Sequence, residues 1–245
     1  MNIQLMEINF MHLHEISLSP ETAFKIFGFP VTTTFIVTVL LSVSIFGVFS
    51  LGIRKKKVVP GFFQNAIEWA LESLLNFIDS ITGDRKRTEE VFPITATLFF
   101  LILTSNLLEI LPGLGVFHFM RSPSSVLNFT LALSMTGVAY VNVLAVKNLG
   151  LFTYLKKFIN LKNPMLAFVG VLEAVSELTK VLSLAMRLFG NLFAGETLLL
   201  VIYFLFAFAA PLPFLGLELL VSFIQAFIFS TLIVVFYTTS LELAH

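Results

Sequence analysis

The chain has 245 residues, of which 57% are hydrophobic and 12% charged, with a formal net charge of zero. A soluble domain of this length needs far more polar surface to cover its core, so the mean hydropathy of +0.95 assigns the chain to a membrane. Zero net charge speaks against nucleic acid as a partner, and the lack of cysteine excludes disulfide frameworks and thiolate metal sites.

The first segment, 1–30, carries Glu7, Glu15 and Glu21 and has no basic start, so it does not read as a secretory signal. Apolar runs follow at 31–53, 91–111, 126–146, 164–209 and 214–240. A hydrocarbon core about 30 Å thick needs about 20 helical residues. The first three runs therefore read as single spans, and the last as the final crossing. The run over 164–209 is too long for one upright helix; it must tilt strongly or carry an extra segment at one end. The expected architecture is an all-α polytopic membrane protein in one domain over 1–245. It has about five transmembrane helices, the last two long, tilted and paired as a hairpin.

Basic residues orient the spans. Arg54 to Lys57, Arg85 to Arg87, and Lys147, Lys156, Lys157 and Lys162 belong inside by the positive-inside rule, against Lys25 and Arg121 outside. This scheme leaves the N-terminus outside and the C-terminus in the cytoplasm. Between two inner basic clusters, 62–81 reads as an amphipathic helix, with Asn65, Glu68, Glu72, Asn76 and Asp79 recurring every three or four residues. Such a helix lies along the inner interface with its acids toward water, or packs against the bundle without touching lipid. No internal repeat at a fixed spacing marks the hydrophobic segments, which counts against an inverted-repeat transporter.

The richest stretch is VLEAVSELTKVLSLAMRLFGNLFAGE, 171–196. At about 100° per residue, Glu173, Ser176, Lys180, Ser183, Arg187 and Asn191 share an arc of about 80° over about 27 Å of rise. One helix face thus carries a polar track through nearly the whole membrane. A charge at mid-bilayer costs about 2.5–3.5 kcal/mol, so such residues face water or a partner. Arg187 keeps its proton under cellular conditions and is a fixed positive barrier rather than a relay. The plainer alternative is an internal ion pair of Arg187 with Glu177 or Glu196 that serves packing.

Glu218, Ser222 and Gln225 share one face of the last span. In an antiparallel hairpin Arg187 meets Gln225 and Glu196 meets Glu218, with the fold-back centred near 206–207. The breaker PLPFLG at 211–216 lies slightly later, which predicts tilt or a kink near Gly195. Asn106 and Glu109 stand near the outer end of the second span. Glu109, Glu196 and Glu218 then form an outer acidic group, Glu173 and Glu177 an inner one, with Arg187 between. Spread-out oxygens favour a proton wire over a metal cage, which needs ligands converging on one point. His12, His14 and His118 read as peripheral histidines rather than metal ligands. No cofactor is expected, and no GxxxxGK[ST] loop is present for phosphoryl transfer.

MRLFGNLFAGE (186–196) resembles the signature of subunit a of the rotary F-type ATP synthase. The likeness extends to VPGFFQNAIEW (59–69), SNLLEILPG (105–113), PSSVLNFTLALS (123–134) and LVSFIQAFIFSTLIVVFY (220–237). The resemblance implies a non-catalytic stator subunit with two offset half-channels beside a rotating ring of c subunits, coupling proton flow to ATP synthesis. Its partners would be that ring, the peripheral-stalk b subunits, other synthase subunits and the lipid bilayer. By motif position, Arg187 is similar to the essential arginine facing the ring carboxylate. Asn106, Glu109, Asn191, Glu196, Glu218 and Gln225 resemble the outer path, and Glu173, Ser176, Lys180 and Ser183 the inner path. Two positions depart: 218 is an acid where some relatives carry histidine, and Glu177 is an extra acid with no assigned role. Whether the ion is H⁺ or Na⁺ depends on the ring's own site. The RLFGN…AGE form fits a bacterial plasma membrane, with an organellar energy-transducing membrane as the alternative. The rival classes are a secondary transporter, which would bind solute alone, and a purely structural membrane subunit.

Overall fold

The computed structural model describes residues 22–26, 29–54, 61–110, 122–158, 164–205 and 211–242. Two short strands, β1 (Thr22–Ile26) and β2 (Phe29–Thr32), pair antiparallel with Ile26 opposite Phe29. The sequence reading placed only an outer segment there. The hairpin runs straight into α1 (Thr33–Arg54), where the Thr32 hydroxyl accepts the Phe35 amide at 3.3 Å, a side-chain cap for the new helix. α1 lies at the edge of the bundle and leaves Phe35, Leu40, Val43, Phe46 and Leu51 exposed, the pattern of a lipid-facing helix.

The next helix, α2 (Phe62–Thr82), splits into two halves. Leu74, Ile78 and Thr82 are buried against the bundle, whereas Phe62, Phe63 and Trp69 are exposed. It stops at Gly83, whose left-handed φ of 64° lets its amide bond back to the Asp79 carbonyl. Asp84 then opens α3 (Arg85–Ile110): its carboxylate accepts the Lys86 amide at 3.0 Å and its carbonyl accepts the Thr88 amide. This cap explains why α3 begins well before 91, the apolar start expected from sequence. The helix continues through Pro93, which removes one backbone donor without ending it.

A short 3₁₀ turn (Pro123–Ser125) leads into α4 (Leu127–Leu149), then α5 (Leu151–Phe158), the long α6 (Pro164–Leu205) and α7 (Pro211–Glu242). The PLPFLG motif is therefore the opening of a helix. Proline is tolerated in a first turn because the amide it lacks would have had no intrahelical partner. The core is shared by α2, α3, α4, α6 and α7, with Ile102, Val141, Leu188, Ile233 and Val234 almost wholly buried.

Among the described residues, four helical stretches are long and apolar enough to cross a membrane: Thr33–Gly52, Arg85–Leu108, Leu127–Leu149 and Pro211–Leu241. The 42-residue α6 is not among them. Its charged residues fall between Glu173 and Glu196, and its rise of about 63 Å is roughly twice the hydrocarbon thickness. The chain is an all-α polytopic membrane protein with a small β-hairpin ahead of its first span.

At one end of the bundle a polar clasp ties α3, α4 and α7. The fully buried Tyr237 hydroxyl donates to the Glu90 carboxylate at 2.9 Å, and the Asn148 amide donates to the same oxygen at 2.8 Å. Asn148 also donates to the Tyr237 oxygen at 3.0 Å, while Lys147 Nζ stands 3.6 Å from the other Glu90 oxygen.

Candidate functional site

α6 presents Leu184, Leu188 and Leu192 to the core, all nearly fully buried. Arg187 precedes Leu188 by one residue and so points about 100° round from that stripe. Arg187, Ser176, Ser183 and Asn191 are exposed; Glu173 and Lys180 are partly buried. The polar track thus runs along the flank of the helix, beside the packed face. Arg187 is bound by no hydrogen bond or ion pair to another described residue.

Contacts between α6 and α7 fix their register. Gly195 lies against Glu218, and Lys180 Nζ stands 5.3 Å from the Phe236 ring centre. Rising numbers on one helix meet falling numbers on the other, so the two are antiparallel. Glu196 acts electrostatically on Glu218, as the hairpin pairing expected. By the same register Arg187 is level with the turn that follows Gln225. The two are not bonded: Gln225 is buried and Arg187 exposed.

The outer-path residues of α7 converge with α3. Glu218, Ser222 and Gln225 are buried on one face, and the buried Asn106 donates its amide to the Ser222 carbonyl at 3.4 Å. Both Glu218 oxygens, the Asn106 side-chain carbonyl oxygen and the Ser222 hydroxyl are buried without a hydrogen-bond partner among the described residues. Buried polar atoms are normally satisfied. Four such atoms stand together here, and buried polar atoms of this kind are ordinarily satisfied by water. Glycine at 195 leaves room for this carboxylate, since a Cβ there would stand 2.6 Å from Glu218 Oε1 and displace it. Glu109 belongs to the last turn of α3, but its side chain lies outside the described residues, as do His12, His14 and His118.

The sequence reading missed a serine group beside Asn106. Ser122 donates to the Ser105 carbonyl at 2.9 Å, and Ser124 donates to the Ser105 hydroxyl at 2.8 Å, all of them buried. The available signal was the run SPSS together with Ser105–Asn106 inside an apolar span.

On the inner side, Lys180 Nζ pairs with Glu177 Oε1 at 2.8 Å. Glu177 is therefore engaged with Lys180 rather than with Arg187, contrary to one of the two packing pairs open from sequence. Tyr154 of α5 lies near Glu177 and Glu173; burial first, then those two carboxylates, push its hydroxyl up to about 12.

Known proteins match this sequence over most of its length. A family model described as ATP synthase A chain covers residues 8–238. ATP synthase subunit a of Syntrophobacter fumaroxidans is 35% identical over 216 residues, 88% of this chain and 85% of that protein. The subunit a of Trichlorobacter lovleyi is 32% identical over 246 residues, 99% of this chain and 97% of the relative. That of Moorella thermoacetica is 32% identical over 206 residues, or 84% and 87%. With an exposed arginine on a long polar helix and an extended match to one set of relatives, the chain belongs to the ATP synthase A chain family.

Proposed function

We propose that this chain is the membrane-embedded stator subunit through which protons pass to and from a rotating ring of c subunits. It offers two offset half-paths with Arg187 as the barrier between them and performs no phosphoryl transfer itself. The observation that carries the reading is the position of Arg187: a permanent cation on the exposed flank of a long helix, with no partner among the described residues. A guanidinium at membrane depth is costly unless something outside the chain faces it. A ring carboxylate is such a group, and the guanidinium favours its ionised form.

In the outer half-path, protons approach through Asn106, Glu109, Gln225, Glu218, Glu196 and Asn191 and reach the ring carboxylate. In the inner half-path, lined by Ser183, Lys180, Ser176 and Glu173, protons leave the ring. Arg187 blocks direct passage, so protons must travel with the ring. Five crossings put the N-terminus outside and the C-terminus in the cytoplasm of a bacterial plasma membrane, with the b subunits of the peripheral stalk among the neighbours.

Reconstitution tests this reading. The purified chain alone in vesicles conducts no protons and takes up no solute, whereas the assembled complex pumps protons when given ATP. Solute uptake by the chain alone would contradict it and favour a secondary transporter. Arg187→Lys should fail to pump, because an ammonium lacks the planar donor set and has a movable pKa.

A further inference from the structure

We infer that Glu177 is a charge-cancelling partner that holds the Lys180 ammonium against α7, so that the inner half-path contains a single barrier, Arg187. This rests on the half-path reading above. Lys180 and Arg187 share one arc of α6 about 10 Å apart along the axis. Two uncompensated cations in series would impede a proton leaving the ring twice.

The geometry removes one of them. Lys180 Nζ is 2.8 Å from Glu177 Oε1, with both side chains mostly buried. The ammonium also stands 5.3 Å over the Phe236 ring, within cation–π reach. Two helices thus grip it, α6 through a carboxylate and α7 through a ring. Tyr154 faces the same group from α5, and with its hydroxyl pushed up to about 12 it brings no further negative charge near neutral pH. The two inner acids therefore divide their work. Glu177 is committed to Lys180, and Glu173, one turn nearer the inner end, hands protons on. Glu177 is a positioning residue.

The test is a double-mutant cycle on the whole complex in vesicles, read as ATP-driven proton pumping per assembled complex. Glu177→Gln should lower pumping about tenfold, an effect within the range of coupling between groups in contact. Adding Lys180→Gln should bring the rate back up at least about fivefold, a coupling expected only of groups in contact. A double variant as slow as Glu177→Gln alone, or a Glu177→Gln complex pumping at the parent rate, overturns the inference. If Glu177→Gln does not assemble, the reversed pair Glu177→Lys/Lys180→Glu carries the test. Pumping by that variant supports the inference, and an assembled complex that does not pump overturns it. Arg187→Ala measured alongside separates the two levels. If it pumps, the half-path reading itself fails; if it is inactive while the cycle shows no coupling, only the role of Glu177 fails.

Discussion

Helix α7 carries two buried polar groups of opposite character, and the contrast separates structure from function. Near its C-terminal end, Tyr237 joins Glu90, Asn148 and Lys147 in a clasp whose members hold one another at hydrogen-bond or ion-pair distance. Toward its N-terminal end, Glu218 and Ser222 are also buried, yet their side-chain oxygens have no hydrogen-bond partner among the described residues. Satisfied polar networks fix helices in place, while incompletely satisfied ones destabilise a fold unless something else visits them. The same helix thus carries a closed hydrogen-bonded group near one end and a cluster of unsatisfied carboxylate and hydroxyl oxygens near the other, while the buried Ser230 and Ser240 hydroxyls are likewise unpartnered among the described residues.

The strongest challenge to this contrast comes from removing both acids of the open end. Glu196→Gln/Glu218→Gln should stop ATP-driven pumping while the complex still assembles, because both carboxylates that the α6–α7 pair supplies to the outer path are then gone. Either single change should slow pumping about tenfold and leave it measurable, since each acid can substitute for the other; an equal loss in single and double variants would contradict that redundancy. Gly195→Ala should have a smaller effect, a few-fold loss of rate. Its new Cβ would meet Glu218 Oε1 at 2.6 Å and push the carboxylate aside. The closed end should behave differently. Tyr237→Phe should cost about 1 kcal/mol of stability in denaturant titration, with pumping per assembled complex unchanged. A stable Tyr237→Phe complex that pumps poorly would assign the clasp to the proton path instead.

What the sequence showed and what it hid follow from distance along the chain. The track from Glu173 to Asn191 is legible because one helix period orders it, and Glu218, Ser222 and Gln225 are legible for the same reason. Caps left fainter traces. Asp84 and Thr32 set where α3 and α1 begin, but a lone Asp or Thr before an apolar run is a weak mark when basic residues follow it. The early start of α3 and the β-hairpin were missed for that reason. Tertiary pairings gave no trace: Ser124 meets Ser105 across 19 positions and Tyr237 meets Glu90 across 147. The pairing of Glu177 with Lys180 was within reach of sequence, being an i, i+3 pair.

Arg187 remains the residue on which the whole account turns. The decisive measurement is ATP-driven proton pumping by vesicles containing the complete synthase with Arg187→Ala, compared with the parent at equal assembly. No pumping, with ATP hydrolysis retained or proton leak increased, is the predicted result. Pumping at the parent rate would contradict the account, since protons would then be coupled to rotation without the barrier assigned to that side chain.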